Sequence, residues 1–289
     1  MAIYVNGYRL DTSKRFPDGT SAIKADDEMI FVVNRNTQKA VVRWNYESDD
    51  ELIQLYYITQ WLRAFGRNVI DLEMPYVPNA RMDRLHSMHD IFTLKYFAKM
   101  INSMDFRHVY IFDVHSDVTP ALINNVVYSP AEVRTYVHRA LENIASDNIV
   151  LLYPDEGAAK RYGSVLMLPY VTGIKRRDWD TGRIESLDIA TPDNDPNYLN
   201  GKDVLIVDDI CSRGGTFMRA SEAAMKAGAS KVYIYCSHCE KTIFDGDLLK
   251  NENVAKVYTT DSIFNGMHPK MFVMQWNPRC LEHLVLEQR

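Results

Sequence analysis

The chain has 289 residues, of which 46% are hydrophobic and 25% are charged, and its formal net charge is −5. This length is enough for two domains with separate cores, and the acidic balance argues against nucleic acid as a partner. No apolar run reaches the roughly 18 residues of a membrane span, and the N-terminal residues lack a signal-peptide pattern. We therefore predict a cytoplasmic protein that binds neither nucleic acid nor a membrane.

In the first half of the chain, apolar strand patterns alternate with helical patterns. Strands are predicted at residues 29–33, 68–74 and 108–112 and near Tyr128, and helices at residues 49–65, 89–104 and 130–145. This alternation is typical of parallel sheets joined by right-handed crossovers.

Polar residues follow the third of these strands in the stretch IFDVHS, residues 111–116. A single histidine after an apolar strand is most often a satisfied core residue. His115, however, stands between Asp113 and Asp117 at a strand end, where open α/β sheets bind their ligands. We therefore treat His115 and Asp113 as candidate site residues.

A second strand–helix series occupies the second half of the chain. Its strands are predicted at residues 148–153, 166–170, 204–208, 231–236 and 256–260. The two series suggest duplication of one architecture, with a predicted N-terminal domain at residues 1–146 and a C-terminal domain at residues 147–274. Residues 275–289 form a tail that is predicted to pack back onto the first domain.

A lysine–arginine run, Lys175 to Arg177, follows the apolar residues 165–174 and precedes a polar, Asp-rich stretch that reaches Asn200. Such a run is usually an exposed charged surface. A segment this polar inside an otherwise compact chain favours a mobile lid over an inert surface.

The stretch DVLIVDDICSRGGT, residues 203–216, is the most informative part of the chain. Its apolar run predicts a strand buried on both faces, with Asp208 and Asp209 at the carboxyl end. A helical pattern begins at Thr216, so the preceding loop lies at a helix N-terminus, where free amides and the helix dipole attract phosphate. Two carboxylates beside such a loop are able to accept hydrogen bonds from ribose hydroxyls or to hold Mg²⁺. The alternative is a tight turn whose acids only cap the helix.

Four cysteines are too few for a disulfide framework in a chain of this size. Cys236 and Cys239 form a C-x-x-C pair with an intervening histidine, but no second pair has zinc-finger spacing. We interpret Cys211, Cys236, Cys239 and Cys280 as reduced thiols.

The stretch DVLIVDDICSRGGT resembles the motif that binds 5-phosphoribosyl 1-pyrophosphate (PRPP) in two families, the type I phosphoribosyltransferases and the ribose-phosphate pyrophosphokinases, or PRPP synthetases. Five further stretches, in the order of the chain, resemble the synthetases. They are RFPDGTSAIK (residues 15–24), MPYVPNARMDR (74–84), IFDVHS (111–116), YPDEGAAKRYG (153–163) and IKRRDWDTGRIES (174–186). The resemblance implies two phosphoribosyltransferase-like, Rossmann-like α/β domains related by internal pseudo-symmetry.

The resemblance also implies roles for individual residues. Lys175 and Arg177, in the family's catalytic flexible loop, would be catalytic. ATP would be bound by Asp18, Gly19, Thr20, Arg81, Met82 and His115. Ribose 5-phosphate and PRPP would be bound by Arg177, Asp208, Asp209, Ser212, Arg213, Gly214, Gly215 and Thr216. The implied cofactor is Mg²⁺, with His115, Asp155 and Asp113 as candidate ligands.

The implied activity is transfer of the pyrophosphoryl group of ATP to the C1 hydroxyl of ribose 5-phosphate, which yields PRPP and AMP. Self-association is implied as well, as a homodimer or a hexamer, because residues 15–24 contribute to the ATP site of an adjacent subunit in the family. Thr20, Met82 and Asn124 depart from the family pattern, which has Glu, Gln and an acid there. A non-catalytic homologue and a type I phosphoribosyltransferase remain as alternatives.

Overall fold

The structure is a computed structural model that describes residues 2–35, 38–85, 87–177 and 184–278. The described residues divide into two compact units. The first contains the chain up to Ser129 together with Asn277 and Pro278, and the second is Pro130–Trp276. Each unit has a mainly parallel sheet with flanking helices, which confirms the predicted fold class.

The first unit is built on a sheet with strand order β2-β1-β3-β4-β5-β6 among the described residues. Its strands are β1 (Ala2–Val5), β2 (Tyr8–Arg9), β3 (Lys39–Asn45), β4 (Val69–Glu73), β5 (His108–Tyr110) and β6 (Val126–Val127). Its helices are α1 (Asp27–Arg35), α2 (Asp50–Ala64), α3 (Thr93–Ser103) and α4 (Val118–Leu122). Strands β3 to β6 pair in parallel, whereas β1 pairs antiparallel with β2 and β3.

Helix α1 occupies residues 29–33, for which the sequence predicts a strand, so that prediction is wrong. Met29 and Val33, four residues apart, are buried, whereas Phe31 between them is 61% exposed. Asp26 accepts a hydrogen bond of 2.9 Å from the amide of Met29, which satisfies one of the free donors at the start of the helix. The helical spacing of two buried side chains and this cap outweigh the strand propensity of the run MIFVV.

The second unit is built on a sheet with strand order β13-β12-β11-β10-β7-β8-β9 among the described residues. Its strands are β7 (Ile149–Tyr153), β8 (Tyr170–Arg177), β9 (Ile184–Ala190), β10 (Asp203–Cys211), β11 (Lys231–Cys239), β12 (Val254–Thr260) and β13 (Met271–Met274). Its helices are α5 (Glu132–Ile144), α6 (Glu156–Leu166) and α7 (Gly215–Lys226). All neighbouring strands pair in parallel except β8 and β9, which form an antiparallel pair.

Helix α5 belongs to the second unit, so the structure divides the chain at Ser129, ahead of the predicted boundary at residue 146. The side chain of Glu132 in α5 accepts a 2.9 Å hydrogen bond from Trp276, and both side chains are fully buried. Trp276 therefore packs in the second unit, although the sequence assigns it to the tail. Residues 279–289 of that predicted tail lie outside the described residues.

Candidate functional site

Three carboxylates meet at one edge of the second sheet. Strands β7 and β10 are parallel neighbours, so their carboxyl ends lie at the same edge. Asp155 follows β7 and caps α6, where its Oδ1 accepts a 3.0 Å hydrogen bond from the amide of Ala158. Asp208 and Asp209 lie near the end of β10. The strand order thus brings together three acids that the sequence separates by about fifty residues.

Asp209 is the most buried of these acids, with 4% of its surface exposed. Arg161 of α6 forms an ion pair with it, at 3.1 Å from Nη1 to Oδ1. Asp208 accepts a 3.0 Å hydrogen bond from the amide of Asp209. Burial and the charge of Asp209 raise the pKa of Asp208 well above its usual range, and the charge of Asp155 adds to this effect. A divalent cation would neutralise this negative charge, and a polyol would donate hydrogen bonds to the carboxylates.

The loop after β10 leads directly into α7. Gly214 is the N-cap of this helix and has φ of +82°, a left-handed conformation that glycine adopts without strain. A Cβ atom at Gly214 would lie 2.7 Å from the side chain of Leu248, so the close packing there also requires glycine. The amides of Gly215 and Thr216 begin α7 and have no acceptor within the first turn of the helix. Ser212 to Thr216 therefore lead into the N-terminus of α7 beside the carboxylates at the end of β10, and helix N-termini of this kind are able to bind anions.

Strand β8 runs close to the turn that carries Asp155. A Cβ atom at Gly173 would lie 2.6 Å from the carbonyl oxygen of Pro154. The backbones of Lys175 and Arg177 extend β8 and pair with Leu187 and Ile184 of β9. The predicted catalytic loop is therefore, in its described parts, the end of an antiparallel hairpin. The side chains of Lys175 and Arg177 and the residues 178–183 lie outside the described part of the chain.

In the first unit, the stretch at residues 81–84 lies beside the stretch at residues 113–116. Asp83 is buried and accepts hydrogen bonds of 2.8 and 3.0 Å from Arg84. The pKa of Asp83 is lowered to about 2, first by these hydrogen bonds and further by Ser116 and the charge of His115. His115 is half-buried and Met82 is half-buried, while Arg81 is exposed. Two of the sequence motifs therefore form one polar surface in this unit.

Asp113 is buried, with 5% exposed, and has φ of +38°. It therefore sits in a left-handed conformation that is uncommon for residues other than glycine. Such strained backbone positions are frequent at functional sites.

Asp18, Gly19 and Thr20 form the tip of a tight turn. Asp18 Oδ1 accepts hydrogen bonds from the amide of Thr20 at 3.0 Å and from its hydroxyl at 2.7 Å. These bonds lower the pKa of Asp18. The turn is anchored by Gln54 of α2, which donates a hydrogen bond of 3.1 Å to Ser21. The tip itself is exposed, so Asp18 is accessible from solvent.

Comparison with known proteins identifies the family. A family model for the phosphoribosyl transferase domain matches residues 131–270. The ribose-phosphate pyrophosphokinase of Pyrococcus abyssi is 30% identical over 237 residues, which cover 78% of this chain and 74% of that protein. The chain belongs to the ribose-phosphate pyrophosphokinase family. The protein of the same name from Thermococcus kodakarensis is also 30% identical, over 230 residues that cover 78% of this chain and 76% of that protein.

A solved structure agrees on the fold of this ribose-phosphate pyrophosphokinase family member. The phosphoribosylpyrophosphate synthetase of Mycobacterium smegmatis matches with a TM-score of 0.71 and 17% identity, over 96% of this chain and 90% of that one. The predictions of family and of enzyme class are confirmed. None of the described helices combines the length and apolar character that crossing a bilayer requires.

Two charged residues of this ribose-phosphate pyrophosphokinase family member were not predicted from the sequence. Arg161 lies within the stretch YPDEGAAKRYG, and Asp83 within MPYVPNARMDR, yet neither was selected as a site residue. Both are charged side chains inside a stretch that resembles a family motif. That position is the signal that could have singled them out.

Proposed function

We propose that this protein transfers the pyrophosphoryl group of ATP to the C1 hydroxyl of ribose 5-phosphate, releasing AMP and PRPP. The observation that carries the proposal is the cluster of three carboxylates, from Asp155, Asp208 and Asp209, beside the N-terminus of α7. In a member of the ribose-phosphate pyrophosphokinase family, that pairing suits a sugar with vicinal hydroxyls at one end and a phosphate at the other.

The ribose 5-phosphate site would use both parts of this arrangement. The 5-phosphate accepts hydrogen bonds from the amides at the start of α7 and from the hydroxyls of Ser212 and Thr216. The ribose hydroxyls donate to Asp208 and Asp209. The ion pair with Arg161 would orient the carboxylate of Asp209 before the sugar binds.

The nucleotide would bind to the first unit. Arg81, Met82 and His115 are the candidate ATP contacts in the polar surface that Asp83 organises. Asp18, Gly19 and Thr20 form an exposed turn, which suits a contact to a nucleotide held by a neighbouring copy of the chain. We therefore propose self-association, as a homodimer or a hexamer.

The acids fit a hard divalent cation such as Mg²⁺. Carboxylate oxygens are the ligands that Mg²⁺ prefers, and a bound cation would neutralise the negative charge that these neighbouring acids share. Asp155 is the proposed ligand in the second unit, and His115 and Asp113 are the proposed ligands in the first unit. When bound, Mg²⁺ neutralises phosphate oxygens during the transfer.

The chain's own residues would supply alignment and further positive charge. Lys175 and Arg177 would stabilise the charge that develops on the oxygens of the transferred group. Closure of the β8–β9 hairpin over the substrates would exclude water, which would otherwise hydrolyse the activated diphosphate.

The proposal is tested by measuring AMP and PRPP from ribose 5-phosphate and ATP with Mg²⁺, for the wild type and for Lys175→Ala. We expect stoichiometric products from the wild type. Loss of one preorganised donor is expected to lower kcat about 100- to 1000-fold, with little change in the affinity for ribose 5-phosphate. Lys226→Ala, at an exposed lysine at the far end of α7, is the control and should retain wild-type turnover.

Two outcomes would contradict the proposal. If Lys175→Ala loses affinity for ribose 5-phosphate and turnover to the same extent, Lys175 does not act specifically on the transition state. A folded wild-type protein that binds ribose 5-phosphate but forms neither AMP nor PRPP would point to the non-catalytic homologue.

A further inference from the structure

Three thiols converge in the core of the second unit. Cys211 ends β10, and Cys236 and Cys239 lie in the last part of β11. Their sulfur atoms all lie within 4.8 Å of one another. All three side chains are buried, with 1% or less of their surfaces exposed. The sequence reveals only the C-x-x-C pair, because the third thiol comes from a different strand.

The convergence goes beyond what strand geometry provides. Cys211 and Cys239 are cross-strand neighbours in the β10–β11 register, so their proximity follows from pairing. Cys236 is three residues before Cys239, and side chains three apart in a regular strand point to opposite faces of the sheet. All three sulfurs nevertheless lie within 4.8 Å of one another, so strand pairing alone does not account for the position of the Cys236 sulfur.

The composition of this cluster limits the ion it suits. Cysteine thiolates are soft ligands that select Cu(I) or Zn²⁺ over Mg²⁺. Structural Zn²⁺ is almost always four-coordinate. Within the described ranges, no histidine, carboxylate or further thiol joins the three sulfurs, and the burial of all three leaves no route for a water ligand. A three-coordinate site without water is better matched by Cu(I).

We propose that Cys211, Cys236 and Cys239 form a buried three-sulfur site for Cu(I). Each thiol that becomes a thiolate ligand releases its proton to solvent as the ion binds, so binding is pH-dependent. None of the three thiols is among the residues assigned to the proposed pyrophosphoryl transfer, although Cys211 directly precedes Ser212.

The test is a titration of the reduced full-length protein with Cu(I) under anaerobic conditions, in competition with a chromogenic Cu(I) chelator. We expect one equivalent to bind. Cys239→Ala and Cys236→Ala should each weaken binding by more than about 100-fold, because they remove direct ligands and even outer-shell changes cost 10- to 100-fold. Cys280→Ala, which removes the fourth thiol of the chain, is the matched control and should bind like the wild type.

X-ray absorption at the copper edge provides a readout that needs no variant. Three sulfur neighbours and no nitrogen or oxygen neighbour would support the site. Two sulfur neighbours, or a mixed set, would overturn it. The proposal is also overturned if Cys236→Ala and Cys239→Ala retain wild-type affinity while circular dichroism shows them folded, if Cys280→Ala loses the copper, or if Zn²⁺ binds in preference with four ligands.

Discussion

Asp209 is a charged side chain with little access to water, and the ion pair with Arg161 makes its burial tolerable. Arg161 itself is 23% exposed and lies 5.5 Å from the centre of the Tyr162 ring, so part of its charge is screened by solvent. Removing one partner of a fully buried pair costs about 3–5 kcal/mol. Because this pair is partly solvated, a smaller cost is expected.

Replacement of Arg161 by Met keeps most of the side-chain volume and removes the charge. We expect Arg161→Met to lower the free energy of unfolding by about 1–3 kcal/mol and to weaken ribose 5-phosphate binding, since Asp209 loses its orienting donor. Arg161→Lys should recover part of both effects. Thermal unfolding and calorimetric titration with ribose 5-phosphate measure them.

Lys160→Met is the matched control, because Lys160 is the exposed neighbour of Arg161 in α6. A surface change of this kind should stay within about 0.5 kcal/mol of the wild type. If Arg161→Met and Lys160→Met unfold alike and bind ribose 5-phosphate alike, the positioning role of Arg161 is disproved.

Two glycines of the second unit differ in the space that surrounds them. A Cβ at Gly173 in β8 would meet the carbonyl oxygen of Pro154 at 2.6 Å and the side chain of Leu187 at 3.1 Å. A Cβ at Gly163 in α6 would meet only ordinary contact, with Tyr170 at 3.5 Å. Close packing therefore requires glycine at position 173, whereas Gly163 lowers the stability of α6 without a packing reason.

We expect Gly173→Ala to destabilise the protein by about 1–3 kcal/mol through overpacking, and to displace the turn that carries Asp155. Gly163→Ala should stabilise it by about 0.5–1 kcal/mol through helix propensity. Urea unfolding of the two variants gives both values. Equal stability of Gly173→Ala and the wild type would show that β8 and the turn do not pack closely.

The elements that sequence analysis predicted best are buried parallel strands. Residues 148–153 and 204–208 correspond to β7 and β10, because strands covered on both faces are continuous apolar runs. Edge strands such as β9 carry polar residues and are specified by their pairing partners, so their sequences give little signal. The strand predicted at residues 166–170 is wrong for most of its length, because α6 continues to Leu166 and Met167 forms its left-handed C-cap, so the strand begins only at Tyr170.

For the site, the carboxyl end of a predicted strand indicated Asp208 and Asp209, whereas Asp155 was selected through the resemblance of its stretch to a family motif. Arg161 was not predictable in this way. The sequence shows Lys160 and Arg161 side by side on one helix, and only the packing of α6 against the sheet determines which of them reaches Asp209.

Partly or fully buried tyrosines in both units resist ionisation. Burial raises the pKa of Tyr46 in the first unit and of Tyr153 in the second. Burial also raises the pKa of Tyr258 to about 12. Tyr258 is 1% exposed, and its hydroxyl donates a 3.0 Å hydrogen bond to Asn143 of α5. Because of these raised pKa values, the free energy of unfolding depends on pH in the alkaline range.

The sign of the coupling follows from which state loses protons first. An unfolded tyrosine ionises near pH 10, whereas folded Tyr258 stays neutral up to about pH 12. Its contribution to stability is therefore complete below pH 10 and is lost as the pH rises toward 12. We expect the free energy of unfolding to be lower at pH 11 than at pH 9, and the decrease to be about 1 kcal/mol smaller in Tyr258→Phe. Urea unfolding at the two pH values measures the difference.

Tyr258→Phe also loses the hydrogen bond to Asn143, which lowers its stability at both pH values by about 1 kcal/mol. The change between pH 9 and pH 11, rather than the stability at either pH, therefore isolates the ionisation. Tyr56→Phe, at a side chain that is 44% exposed, tests whether loss of any tyrosine hydroxyl has the same effect. If Tyr258→Phe and the wild type lose the same free energy between the two pH values, Tyr258 does not link folding to alkaline pH.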